Sequence, residues 1–217
     1  MFEQALTQLA IYALPIFLTL TMPMALQAWV ANRMGDPTPR IQQRLSWDPV
    51  KHMDWLGTVA LPAVFIFVSG ASNIGLILGW AKPLELDVRR YGTRMRLFIV
   101  ESPMFWGPLL MAVFWVVLAK LLGYVGISEV FVAKVSAAGV NVGLSFFAIT
   151  MLPFPPMPLG NTLLRNLPYS VLMKIAPFLQ YSSFILIGLI LLGVLTPYLQ
   201  FMMSVGAKVV NALTFFL

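Results

Sequence analysis

The stretch that decides the fold lies near the beginning of the chain, from Gln4 to Asn32, and reads QALTQLAIYALPIFLTLTMPMALQAWVAN. It contains no Asp, Glu, Lys or Arg. A helix needs about 20 apolar residues to cross the roughly 30 Å hydrocarbon layer of a membrane, so this stretch predicts a transmembrane helix. We predict a permanent span rather than a cleaved signal peptide. Glu3 stands where a signal peptide carries basic residues, and the run is longer than a signal core.

Four more charge-free stretches follow, and all charged residues except Glu3 and Lys208 lie in the short segments between them. The 217 residues are 59% hydrophobic and only 10% charged, whereas about a quarter of the residues of a soluble domain are charged. The sequence therefore predicts an all-α integral membrane protein, a single polytopic transmembrane domain over residues 1–217. It should contain about four spanning helices plus one broken or re-entrant segment. The hydrophobic segments cover residues 4–32, 55–81, 102–119, 135–164 and 175–207.

The second of these segments, Trp55 to Ala81, carries one proline and several glycines and is predicted to be broken. A broken segment either spans with a kink or enters the membrane and returns to the same side, its backbone buried by protein. Cytoplasmic loops carry an excess of Lys and Arg. If the segment spans, seven basic residues fall on each side; if it re-enters, eleven of the 14 share one side. This split favours re-entry, with an outside amino terminus and cytoplasmic loops at Arg33 to Asp54 and Lys82 to Glu101.

The densest group of basic residues is Arg89, Arg90, Arg94 and Arg96. Basic residues in short loops beside membrane segments set topology and contact lipid headgroups, so we predict these two roles and no binding of nucleic acid. The chain has no cysteine, which excludes disulfides, thiolate catalysis and cysteine metal sites.

Four short strings, in order along nearly the whole chain, resemble the bacterial branch of the site-two protease family, which consists of intramembrane zinc metallopeptidases. AWVANRMGDPT at 28–38 is similar to the segment after the family's His-Glu-x-x-His motif. RLSWDPVKHMD at 44–54 resembles a Gly-Arg-Leu-Thr-Leu-Asn-Pro-Leu-x-His-Ile-Asp loop, and GWAKP at 79–83 matches a Gly-Trp-Ala-Lys-Pro element. PFPP at 153–156 resembles part of the Asn-x-x-Pro-x-Pro-Pro-Leu-Asp-Gly motif that supplies the third zinc ligand.

The residues that the family uses for chemistry are missing at the matching positions. Pro23, Met24 and Gln27 stand where the resemblance implies the first histidine, the glutamate and the second histidine, and Pro158 stands at the aspartate position. A catalytic zinc needs about three protein ligands and an open position for water, and the glutamate would be the general base. A shifted alignment would not supply ligands, because no His, Asp, Glu or Cys occurs between Gln4 and Gly35 or after Glu129.

Other candidate residues favour ordinary roles. The sole histidine, His52, has its family counterpart in a loop outside the zinc motif, so we predict a hydrogen-bonded loop residue. Glu101 precedes Ser102 and Pro103, which we interpret as the cap and first turn of the third span. Trp106 stands where a family motif carries asparagine. It is predicted either to contact a partner or to fill the vacated site internally, and Met24 and Gln27 are predicted to be partner contacts.

The resemblance and the substitutions together lead to two functional hypotheses. The first is a noncatalytic relative of site-two proteases, without zinc or other cofactor, that acts as a structural or regulatory subunit of a larger membrane complex. Its expected partners are other membrane subunits and lipids, and its expected location is the bacterial inner membrane. The alternative is an active intramembrane zinc metalloprotease that cleaves membrane-embedded substrates at an unrecognised site.

Overall fold

In the computed structural model of the protein, residues 2–69, 78–126 and 130–215 are described. Every regular element within these ranges is helical, in agreement with the predicted all-α class. The α-helices are α1 (Phe2–Arg33), α2 (Thr38–Ile41), α3 (Leu61–Ser69), α4 (Arg94–Glu101), α5 (Pro103–Tyr124), α6 (Val130–Thr150), α7 (Pro158–Asn166), α8 (Tyr169–Leu179), α9 (Ser182–Leu191) and α10 (Thr196–Thr214). Short 3-10 helices lie at Pro49–His52 and Val88–Tyr91, and a π-helix at Trp55–Ala60 leads directly into α3.

Helices α1, α5, α6 and α10 form the central bundle. The end of α6 lies beside the start of α5, where the Thr150 hydroxyl is 3.0 Å from the Phe105 carbonyl oxygen. The ends of α5 and α10 also meet, since Lys120 Nζ donates to the Thr214 carbonyl at 2.6 Å. Helices α5 and α10 therefore run in the same direction and α6 runs opposite to α5. Buried residues of α1, α3 and α6 form the main apolar cluster, which includes Ile16, Leu20, Met24, Ile66, Val142 and Phe146.

Within the part of the chain that the structure describes, three helices are long and apolar enough to cross a membrane: Glu3–Arg33, Arg94–Tyr124 and Val130–Thr150. A fourth crossing is available if Tyr169–Leu179 and Ser182–Ile190, which are bent by 63° relative to each other, form one broken span. The predicted number of about four spans agrees with this count. The predicted span at 102–119 lies within the longer helical unit Arg94–Tyr124, in which α4 continues into α5.

Two of the predicted hydrophobic segments each contain more than one helix. The segment at 135–164 divides because α6 ends at Thr150, before a turn that contains three prolines, and α7 begins only at Pro158. Proline lacks a backbone N–H and disfavours helical geometry in the residue before it. The segment at 175–207 divides into the end of α8, all of α9 and the first part of α10. Gly193, with a φ of +69°, and Pro197 at the start of α10 mark the second division.

The two ends of the Trp55 to Ala81 segment lie side by side. The Trp80 N–H donates to the Gly57 carbonyl at 3.1 Å, and the Lys82 N–H donates to the His52 carbonyl at 2.9 Å. The Thr58 hydroxyl also donates to the Trp80 carbonyl at 2.8 Å. The centre of the segment, residues 70–77, lies outside the described residues. The described ends of the segment therefore lie at one place, as re-entry requires, and the re-entrant path itself stays a prediction.

The loops at 33–54 and 82–93 pack against each other and form a polar cap at one end of the bundle. Asp36 Oδ2 accepts hydrogen bonds from the Asp87 N–H and the Tyr91 hydroxyl, at 3.0 and 2.6 Å. Arg44 Nη2 donates to the Lys82 carbonyl at 2.6 Å. The cap contains turns, α2 and 3-10 helices within the described residues. We refer to these two loops together as the polar cap.

Candidate functional site

The positions that correspond to the missing histidine and glutamate lie on the buried side of α1. Pro23 faces Gly107 of α5, and the two helices are so close that a Cβ added at Gly107 would lie 2.8 Å from the Cβ of Pro23. Proline offers no side-chain donor or acceptor. The place where the resemblance implies a zinc ligand is therefore occupied by a direct contact between α1 and α5.

Met24 and Gln27 are almost completely buried, with exposures of 7% and 6%. Met24 belongs to the main apolar cluster, together with Ile66 of α3 and Phe146 of α6. The flexible thioether side chain of methionine fits irregular gaps in such a core. Met24 fills the core here, and the partner contact predicted for it stays a prediction. Trp106, one residue before Gly107, is half-buried and remains the member of the predicted contact set with accessible surface.

Pro158 begins α7 and is separated in sequence from α1 by the whole of α5 and α6. It follows the turn formed by the three prolines, and Asn161 Nδ2 donates to the Pro156 carbonyl at 2.9 Å. Thr150, which stands at the leading asparagine of the family motif, uses its hydroxyl to connect α6 to α5. The residues at these motif positions therefore support the local backbone.

No group of three His, Asp or Glu side chains close enough to hold a metal ion occurs among residues 2–69, 78–126 and 130–215. His52 is fully buried in the polar cap, where Nε2 lies 2.9 Å from the Ser46 carbonyl oxygen. Its Nδ1 lies 3.4 Å from Arg44 Nη2, so Nε2 is the donor and Nδ1 the acceptor. Burial lowers the pKa of His52, and the neighbouring Arg44 charge adds to this effect. The predicted role as a hydrogen-bonded loop residue is confirmed.

Arg44 connects the two loops of the polar cap. Its guanidinium group is buried and donates to the Pro83 and Lys82 carbonyls, which belong to the GWAKP string. Burial lowers the pKa of Arg44, while Glu85 opposes this shift. The strings at 44–54 and 79–83 are thus in contact, and they join the two ends of the Trp55 to Ala81 segment.

Two interactions between polar side chains were not predicted from the sequence. The carboxylate of Asp36 is buried and accepts bonds from Thr38, Asp87 and Tyr91. Burial opposes its ionisation, but these hydrogen bonds outweigh burial and lower the pKa of Asp36. Glu101 is also buried and forms an ion pair with Arg165 of α7. Residues so distant in sequence give no local pattern from which either pairing could be predicted.

The structure also corrects the role predicted for Ser102. Its hydroxyl donates to the Ile99 carbonyl at 2.8 Å and caps no backbone N–H. The reason is that α4 precedes α5 without an extended residue between them, so Ser102 has helical backbone angles, with φ −57° and ψ −34°. An N-cap residue ordinarily has extended geometry.

The predicted arginine group lies at the outer edge of the polar cap. Arg89, Arg90, Arg94 and Arg96 are all exposed. Arg90 pairs with Asp87 at 2.9 Å, and Arg94 Nη1 donates to the Asn166 carbonyl at 2.9 Å. The cluster is therefore a surface of the same cap that holds His52 and Asp36.

Comparison with known proteins gives one informative relative, the Bacillus subtilis (strain 168) protein named "Putative zinc metalloprotease YwhC". The two sequences are 34% identical over 82 residues. This similarity supports a site-two-protease-like relationship. The matched region covers 38% of this chain, and the chain spans about a third (32%) of the length of that relative. No family model matches the chain, and no solved structure matches it. With its apolar helices, the chain is a membrane protein with metallopeptidase-like sequence features.

Proposed function

We propose that this chain is a noncatalytic, site-two-protease-like protein that serves as a structural or regulatory subunit of a larger assembly in the bacterial inner membrane. The observation that carries the proposal is the packing of Pro23 against Gly107 and of Met24 into the apolar cluster. At the positions where a peptidase of this family would need a hydrated metal, this chain has close apolar contacts. Zinc activation of water requires ligands and an open coordination position.

The expected partner is another membrane protein that contacts the α5 surface around Trp106. Trp106 is half-buried and directly precedes Gly107, which contacts Pro23, and tryptophan is enriched among residues that anchor protein interfaces. Helices in lipid associate through close packing rather than through hydrophobic exclusion from water. An aromatic side chain at the edge of a tightly packed helix pair suits such a contact.

Metal content separates this proposal from the active-peptidase alternative. The protein, purified in mild detergent and dialysed exhaustively, should contain no stoichiometric zinc by elemental analysis. One tightly held zinc per chain would overturn the proposal and support the peptidase.

Partner binding requires a separate experiment. A photoreactive phenylalanine analogue placed at Trp106 should give a reproducible cross-linked companion in native membranes. The control position is Leu121, which is 55% exposed on the same helix and should not give that product. Mass spectrometry of the intact detergent-extracted particle should detect the same companion protein. If the chain is a lone monomer, and its deletion alters no other membrane protein, the subunit role is wrong.

A further inference from the structure

The segment from Val88 to Arg96, here called the arginine segment, presents basic and apolar side chains together on the surface. Its four arginines are exposed, and Val88 and Met95 are exposed by 46% and 66%. A solvated loop needs no large apolar side chains on its outer surface, whereas a segment at a membrane surface combines them with basic residues.

The arginine segment is anchored to the rest of the protein by buried and hydrogen-bonded residues. Tyr91 is 1% exposed, and its hydroxyl donates to Asp36 at 2.6 Å. The next turn is capped by Thr93, whose hydroxyl accepts from the Arg96 N–H at 3.3 Å, and Leu97 is buried. Because its backbone is anchored at these points, the segment presents its arginines in a defined arrangement.

Part of the positive charge of the segment is not neutralised by protein. Arg90 pairs with Asp87, and Arg94 donates to a carbonyl, which carries no net charge. Within the described part of the chain, Arg89 and Arg96 have no ion pair. A ligand with negative charge would therefore meet two unpaired guanidinium groups beside a third that is only hydrogen-bonded.

The position of the segment relative to the membrane follows from helix geometry. Arg94 begins the apolar helical unit Arg94–Tyr124. Its charge-free part, Ser102 to Ala119, is about 27 Å long at about 1.5 Å per residue, close to the roughly 30 Å hydrocarbon layer. Arg96 then lies about 7.5 Å beyond Glu101 along the axis. The headgroup layer is about 5 to 8 Å thick on each side, so Arg96 reaches the level of the lipid phosphates.

We propose that the arginine segment binds anionic phospholipid, with Arg89 and Arg96 at the headgroup phosphates. Guanidinium groups bind phosphate through paired N–H donors. Anionic lipid suits this surface better than an acidic protein segment does, because Arg96 lies at headgroup depth and the neighbouring exposed side chains Val88 and Met95 are apolar. This inference is independent of whether the chain is a peptidase.

The experiment measures the preference for phosphatidylglycerol over phosphatidylcholine by native mass spectrometry of the protein in neutral detergent. In the double variant Arg89→Gln/Arg96→Gln, the preference should fall by roughly 30-fold, about fivefold for each basic residue near the surface. It should also fall with rising salt, since exposed charges are screened. The variant Arg89→Lys/Arg96→Lys should keep most of the preference, which separates charge from any effect on folding.

The matched control is Arg40→Gln/Lys51→Gln, which removes two exposed basic residues elsewhere in the polar cap. It should change the preference less than twofold. An unchanged preference in the Arg89→Gln/Arg96→Gln variant would overturn the proposal, as would an equal loss in the control. Soluble glycerol phosphate at millimolar concentration should not compete with the lipid. If it competes fully, the segment is a general anion site and the lipid proposal is wrong.

Discussion

At the scale of single residues, the polar cap depends on buried groups whose protonation states are determined by their surroundings. His52 is fully buried between Arg44 and the Ser46 carbonyl, and burial lowers its pKa. The unfolded chain takes up a proton at the ordinary histidine pKa of about 6.5, whereas the folded chain resists this protonation. His52 therefore contributes stability that is present above about pH 6.5 and is lost as the pH falls below it.

The prediction is that lowering the pH from 7.5 to 5.5 lowers the Tm of the detergent-solubilised protein. Each kcal/mol of stability that is lost corresponds to roughly 2–4 °C in Tm for a chain of this size. In His52→Gln this pH dependence should disappear, because the chain has a single histidine. Thermal unfolding at a series of pH values measures this pH dependence of the Tm. Lys51→Gln, at an exposed position, is the control and should behave like the unsubstituted protein. An identical slope in His52→Gln would show that another group is responsible.

At the scale of elements, the bundle depends on places where one helix approaches the backbone of the next. Gly107 allows α5 to meet Pro23 of α1, and a Cβ at Gly143 of α6 would lie 2.8 Å from the backbone of α5 at Ala112. In lipid, small residues of this kind permit the close packing that holds helices together. The contacts of Pro23 and Met24 are thus part of the stability of the bundle.

We predict that Gly107→Ala destabilises the protein by about 1–3 kcal/mol, the usual cost of overpacking, because its new methyl group would overlap Pro23. Gly123→Ala, on the same helix, should be neutral or stabilising by up to about 1 kcal/mol. A Cβ at Gly123 meets nothing within 4 Å, and alanine favours helix. Thermal unfolding of both variants in one detergent makes the comparison. Equal stability of the two variants would contradict the close contact between α1 and α5.

At the scale of the whole molecule, charge and packing divide the protein into two ends. One end holds the polar cap and the start of α4, where Arg94 donates to the Asn166 carbonyl at the end of α7. The other end holds the termini of α5 and α10, where Lys120 donates to Thr214. This arrangement agrees with the charge split that favoured re-entry of Trp55 to Ala81.

The prediction is that single cysteines at Arg40 and Arg90 are labelled from the same face of the membrane and a cysteine at Val125 from the opposite face. Both arginines are exposed on the polar cap, and Val125, which is 74% exposed, follows α5 at the far end. The chain has no cysteine of its own, so the background is low. A membrane-impermeant maleimide applied to sealed vesicles of known orientation gives the result. Labelling of Arg40→Cys and Arg90→Cys from opposite faces would contradict the re-entrant topology.

The sequence by itself determined the class of the protein, because a charge-free stretch such as Gln4 to Asn32 is stable only in the apolar layer of a membrane. It also determined that His, Glu and Asp are absent from the motif positions. Only the tertiary structure decided where the later helices end, as at Thr150, since hydropathy alone does not locate breaks within a continuous apolar stretch. Only the tertiary structure paired Asp36 with Tyr91 and Glu101 with Arg165. Such contacts depend on how distant segments pack, and no local periodicity encodes them.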